Sequence, residues 1–124
     1  PRRLQAHERL VLFLERISPN SLVMRIHKAG MSSKLLQAEL TKAIREEYEH
    51  NIAQQVYITA DSWSRIKAAK EEMIQLVNVS ATKVNDGSTG IELAQKIFEV
   101  AQALGTLPTD TTILHLKKEI QKYF

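Results

Sequence analysis

The sequence predicts an all-α protein, a compact bundle of five to six helices, and three observations carry that reading. Apolar residues recur three and four apart along nearly the whole chain, which is the helical period and not the alternation of strands. Only 4 Gly and 3 Pro interrupt 124 residues, too few for the many tight turns of a sandwich. The hydrophobic share of 44% is that of an ordinary core-bearing domain. A chain of this length buries roughly two thirds of its unfolded surface without disulfide or metal. There is no cysteine, which removes a disulfide scaffold, a thiolate zinc site and a thiol nucleophile together.

The first helix covers residues 2–17 and stops where Pro19 disfavours helical geometry at Ser18. Asn20 or Ser21 caps a short second helix to Lys28, with Gly30 as its C′ residue. Ser32 or Ser33 opens the longest helix, which runs to Tyr57. Its apolar residues Leu36, Leu40, Ile44, Tyr48, Ile52 and Val56 advance in steps of four. Each step drifts by about 40° around the axis, so the stripe winds and its two ends face different neighbours.

Asp61 or Ser62 caps the fourth helix, to Val84, whose seam is Trp63, Ile66, Lys70, Met73, Val77, Ser80 and Val84, widened by Ala69 and Leu76. Trp63 reads as a core anchor with its indole N–H reaching outward. Residues 85–90, Asn-Asp-Gly-Ser-Thr-Gly, are the one real linker. The fifth helix spans Ile91 to Leu104, with a stripe of Ile91, Ala94, Phe98, Ala101 and Gly105 and with Ile97 and Leu104 beside it. Pro108 falls near the first turn of the sixth helix, residues 109–123, whose inward positions are Ile113, Leu116, Ile120 and Phe124.

Leu10-Val11-Leu12-Phe13-Leu14 places apolar side chains all round one turn of the first helix, and such a turn must be covered all round. The sequence leaves two covers open: the rest of the fold, or a partner. No stretch reaches the roughly 20 apolar residues of a membrane span. Glu8, Arg9, Glu15 and Arg16 bracket this run, which excludes a signal peptide. The net charge of +3 hides an asymmetry. Residues 1–45 carry nine basic side chains against three acids, a net of +6, and residues 46–124 carry a net of −3. A basic first third suits an acidic protein, an anionic membrane surface or nucleic acid.

Glu47-Tyr48-Glu49-His50 holds one Glu-x-x-His, but a di-metal bundle needs a second such pair, and none exists. Residues 20–45 have the outline of a helix-turn-helix, with Gly30 in the turn and Lys34, Gln37, Lys42 and Arg45 on the following helix. Ile26 stands where the tight crossing wants a small residue, and the winding stripe leaves no clean free face. Gly87 and Gly90 lack the strand and the lysine of a phosphate loop, and no serine has a readable base.

Three runs carry a family resemblance: Arg3 to Ile17, Glu49 to Tyr57 and Lys67 to Glu72. In them the chain resembles an uncharacterised family of small bacterial helical proteins with no assigned activity. The resemblance implies that longer members place a membrane helix ahead of this domain. Pro1 would then be a trimmed terminus, with Arg2 and Arg3 just inside the membrane.

The expectations are therefore a single helical domain over residues 1–124, cytoplasmic, without catalytic residues, cofactor, metal or small-molecule ligand. Its function is protein interaction or scaffolding, through a protein partner or self-association, with an anionic membrane surface near the N-terminus. The expected surface is Leu10, Leu12, Phe13, Arg2, Arg3, Arg9 and Arg16. The alternative is a DNA-binding helix-turn-helix-like module over residues 20–45.

Overall fold

Residues 2–124 are described by a computed structural model, and prolines, caps and local side-chain bonds set its boundaries. The elements are α1 (Arg2–Ile17), α2 (Pro19–Ile26), α3 (Ser33–Asn51), a 3-10 segment (Ile52–Tyr57), α4 (Ala60–Thr82), α5 (Gly90–Leu104) and α6 (Pro108–Tyr123). This is the all-α bundle that the periodicity predicts, with six helices among the described residues.

Ser18 is extended and Pro19 takes the first position of α2, where its missing N–H costs nothing. The Ser18 hydroxyl donates back to the Leu14 carbonyl at 2.8 Å, so it closes α1 and does not cap α2. α2 ends at Ile26, two residues earlier than expected, and Gly30 turns the chain within the following loop at φ +87°. The Ser32 hydroxyl accepts from the Leu35 N–H and starts α3.

The α-helical part of α3 stops at Asn51, short of the expected Tyr57. The Asn51 side-chain amide donates to the Glu47 carbonyl four residues back, at 2.8 Å. Such a bond competes with the helical ladder, and the chain tightens into the 3-10 segment. Ile52 and Val56 consequently leave the core and are exposed.

α4 begins at Ala60, because Thr59 accepts from the Ser62 N–H and serves as the cap instead of Asp61 or Ser62. Ser62 is fully buried with its hydroxyl engaged elsewhere, and Asp61 lies in the first turn, paired with Arg65 at 3.1 Å. Its carboxylate there also suits the helix dipole. Thr89 and Glu92 form a reciprocal capping box that opens α5.

The core gathers one face of each long helix. Ala6, Leu10, Phe13, Leu14 and Ile17 come from α1, Leu36, Leu40 and Ile44 from α3, Ile66, Met73 and Val77 from α4, and Leu93 and Ile97 from α5. α3 and α4 each pack against both α1 and α5, while α6 lies against α1 and α4. The seam of α4 is as the spacing predicts. In α5 the stripe is turned: Leu93 and Ile97 are buried, and Ile91 and Leu104 are exposed.

Two loops fasten the α2–α3 and α4–α5 connections together. The Gly90 N–H donates to the Met31 carbonyl at 2.8 Å, and the Ser33 N–H to the Ser88 carbonyl at 2.9 Å. A Cβ at Gly90 would stand 3.0 Å from that Met31 oxygen and 3.1 Å from the His27 ring. Gly90→Ala should therefore destabilise by about 1–2 kcal/mol, lowering the thermal midpoint by roughly 5–10 °C. Gly87→Ala, with nothing within 4 Å of its Cβ, should leave it unmoved when both are followed by circular dichroism.

Candidate functional site

Burial of the α1 core face decides what α1 can offer to a partner. Leu10 and Phe13, expected on an interaction surface, belong to the core. With 100° between successive residues, positions 6, 10, 13, 14 and 17 share the inward face, and α2, α3, α4 and α6 pack against α1. Leu12 points the other way and is 56% exposed. Of the turn that is apolar all round, the fold covers Leu10, Phe13 and Leu14, and Leu12 remains outside.

The outward face of α1 reads Arg2, Gln5, Arg9, Leu12, Arg16, in steps of three, four, three and four. Arg2, Gln5, Arg9 and Leu12 are exposed. Together with Glu8, and opposite Gln54 and Tyr57 of the 3-10 segment, they wall a groove of about 700 Å³. The Arg2 guanidinium donates across it to the Tyr57 hydroxyl at 3.4 Å. Past Arg9 and Leu12 the groove continues as a hollow of about 310 Å³, bounded by Arg16, Glu47, His50 and Asn51.

The cations of this face are not equivalent. Arg16 is half-buried and donates twice to one Glu47 oxygen, at 2.8 and 2.6 Å. Arg25 reaches the same carboxylate at 3.8 Å and donates to the Arg16 carbonyl. Burial lowers the Arg25 pKa from its usual value, the neighbouring Arg16 charge lowers it further, and Glu47 opposes both. Arg2 and Arg9 form no ion pair among the described residues. Arg3 is exposed beside them.

The Glu-x-x-His of α3 is divided between two tasks. Glu47 is held by Arg16 and Arg25, while His50 is exposed at the end of the groove. Of the helix-turn-helix candidates, Lys34, Lys42 and Arg45 are exposed on α3. Gln37 is half-buried and donates to the Asn78 side chain of α4 at 3.0 Å.

A second polar cluster lies inside the fold, where α1, α4 and α6 meet. The Ser62 hydroxyl donates to Glu119 Oε1 at 2.7 Å and stands 2.9 Å from His115 Nε2. One hydroxyl proton serves one acceptor, so with Ser62 donating to Glu119 the His115 Nε2 is the donor to Ser62. His7, 3% exposed, has Nδ1 2.7 Å from the Arg3 carbonyl and Nε2 3.3 Å from Glu119 Oε1. A carbonyl only accepts, so His7 Nδ1 carries a hydrogen. The Phe124 ring meets His7 edge-on at 5.5 Å. Ser62 is fully buried, so the cluster fastens three helices and presents no nucleophile to solvent.

Sequence reasoning missed the 3-10 wall of the groove, because Ile52 and Val56 continue the stripe of α3 and nothing apolar marks the break. Asn51 was the available signal. It also missed the inner cluster, whose contacts between different helices join residues 53 to 112 positions apart.

No curated protein and no solved structure matches the chain. A family model matches over nearly its whole length, in keeping with the resemblance to an uncharacterised family. The chain belongs to a family of unknown function, DUF7935, whose model matches residues 1–123.

Proposed function

We propose that this protein is a non-enzymatic helical interaction module whose binding surface is the groove between α1 and the 3-10 segment. The observation that supports the reading is the exposed seam Arg2, Gln5, Arg9, Leu12 beside a concavity of about 700 Å³. An exposed apolar residue on one seam with the unpaired Arg2 and Arg9 is the composition of a protein-binding patch, since arginine and exposed apolar anchors carry much of interface energy. No helix among the described residues is long and apolar enough to cross a membrane. The module works on the cytoplasmic side, held near an anionic membrane surface by a preceding segment. Exposed Arg2 and Arg3 in the first turn of α1 support this placement.

Leu12 and Leu114 make a matched pair for the test, being 56% and 54% exposed on different helices. A photo-crosslinking amino acid at position 12 should give a discrete product in cells, and the same group at position 114 should not. Adding Arg9→Glu should remove the product. Equal labelling from both positions, or none from position 12, would overturn the reading. Leu12→Arg should keep the wild-type circular dichroism and thermal midpoint, because an exposed site costs within about 0.5 kcal/mol.

A further inference from the structure

The outward face of α5 repeats the spacing of the α1 face with the opposite charge. Glu92, Gln95, Glu99 and Gln102 are all exposed and follow steps of three, four and three. Arg2, Gln5, Arg9 and Leu12 follow the same steps. In each helix the charged residues stand seven apart, about 10.5 Å along the axis. Two such helices laid side by side bring both arginines to both glutamates at once, with a glutamine between them on either side.

We propose that the groove of one copy receives the α5 face of a second copy, so that the chain associates with itself head to tail. The proposal rests on the groove being the binding surface and names its occupant. Glu92, Gln95 and Glu99 border a shallow hollow of about 250 Å³ with Lys83 and Lys96, so the match to the groove is one of charge and spacing. Another cleft, about 620 Å³ and bordered by Glu15 and Asp110, has its two acids on different helices, α1 and α6, without the seven-residue spacing that matches Arg2 and Arg9.

The glutamates are free enough to be recruited. Glu99 is paired with Lys96 at 2.6 Å, with both side chains partly in solvent, and such surface pairs are worth little. Glu92 accepts from the Thr89 N–H and hydroxyl at 3.3 Å and keeps acceptor capacity. A guanidinium offers each carboxylate a two-pronged partner that Lys96 does not. Glu8 is the one acid of the groove wall.

The contact is heterologous. α3 and α4 each pack against both α1 and α5 and so stand between them. Two joined copies therefore leave one groove and one α5 face free, and further copies add until a ring closes or a short filament forms.

Light scattering over about 10 μM to 1 mM, a span suited to weak association, tests the proposal. The mean mass of the wild type should rise with concentration, and the rise should shrink in about 0.5 M salt. Arg9→Glu and Glu99→Arg should each weaken association at least about ten-fold, since like charges then face each other across the contact. Mixing those two variants should restore it, as should both changes in one chain. A wild type that stays monomeric throughout overturns the proposal, as does association that neither reversal weakens or that mixing fails to restore. If the wild type is monomeric while position 12 still crosslinks to another protein, the groove reading stands and its occupant is not a second copy. If both fail, the groove reading falls as well.

Discussion

Phe13→Ala should destabilise the protein by about 3–5 kcal/mol, while Leu12→Arg, one residue away, should leave it as stable as the wild type. Phe13 is 1% exposed and begins a row of aromatic side chains through the core. Its ring lies 6.1 Å from that of Tyr48 on α3, which lies 5.6 Å from Trp63 on α4. The Lys70 ammonium caps the row, 4.4 Å from the Tyr48 ring centre. Truncating Phe13 removes an aromatic contact, opens a cavity between three helices and loosens the ring on which Lys70 rests. Total stability for such a domain is about 5–15 kcal/mol, so a large part is lost. Urea titration should give a much lower midpoint with little change in slope. Equal effects at positions 12 and 13 would mean that α1 is rotated from the arrangement described.

The second large effect is expected at Glu119. Its carboxylate accepts from the buried Ser62 hydroxyl and meets buried His7 at 3.3 Å. Glu119→Ala takes the carboxylate from two buried groups and leaves the Ser62 hydroxyl with His115 alone, at a cost of about 2–4 kcal/mol. That corresponds to a fall of roughly 10 °C in the thermal midpoint. Glu119→Gln should recover only part of the loss, because Ser62 and the His7 ring meet the same atom, and an amide oxygen there accepts from Ser62 but cannot also donate to the ring. A double-mutant cycle between Glu119→Ala and His7→Leu should show coupling of about 1 kcal/mol or more. If the two changes simply add, the His7–Glu119 contact does not hold α1 to α6.

The sequence made the helices legible and left their pairing hidden, for identifiable reasons. Six residues of α4 share one seam, so its inward face could be read directly from Trp63 to Ser80. The ring Leu10 to Leu14 had no such direction. Periodicity is silent where every position is apolar, and only packing shows that Leu12 is the one left outside. The opposite error occurred at Ile52 and Val56, which fit the stripe of α3 by spacing and are exposed because Asn51 ends the α-helix before them. Caps were misplaced where a good capping residue had other work: Ser62 is bonded to Glu119, which gave Thr59 the role. Of the candidate surface, Arg2 and Arg9 were legible as outward residues, Leu12 only as one member of an apolar ring, and Arg16 as basic but not as the partner of Glu47. His115 and Glu119, one turn apart on α6, carried no mark of Ser62 or His7, which meet them only in the fold.

The contact between α1 and α6 has a consequence for synthesis. His7 and Glu119 are separated by 112 residues, so a ribosome releases the first helix long before it makes the last. At ordinary elongation speeds the interval is roughly 5–20 s. Throughout it, the side of α1 that α6 will cover stays uncovered, beside a ring of leucines and a phenylalanine attractive to chaperones. Within this domain α1 therefore waits longest for its cover, and its contact with α6 closes only when α6 has left the exit tunnel.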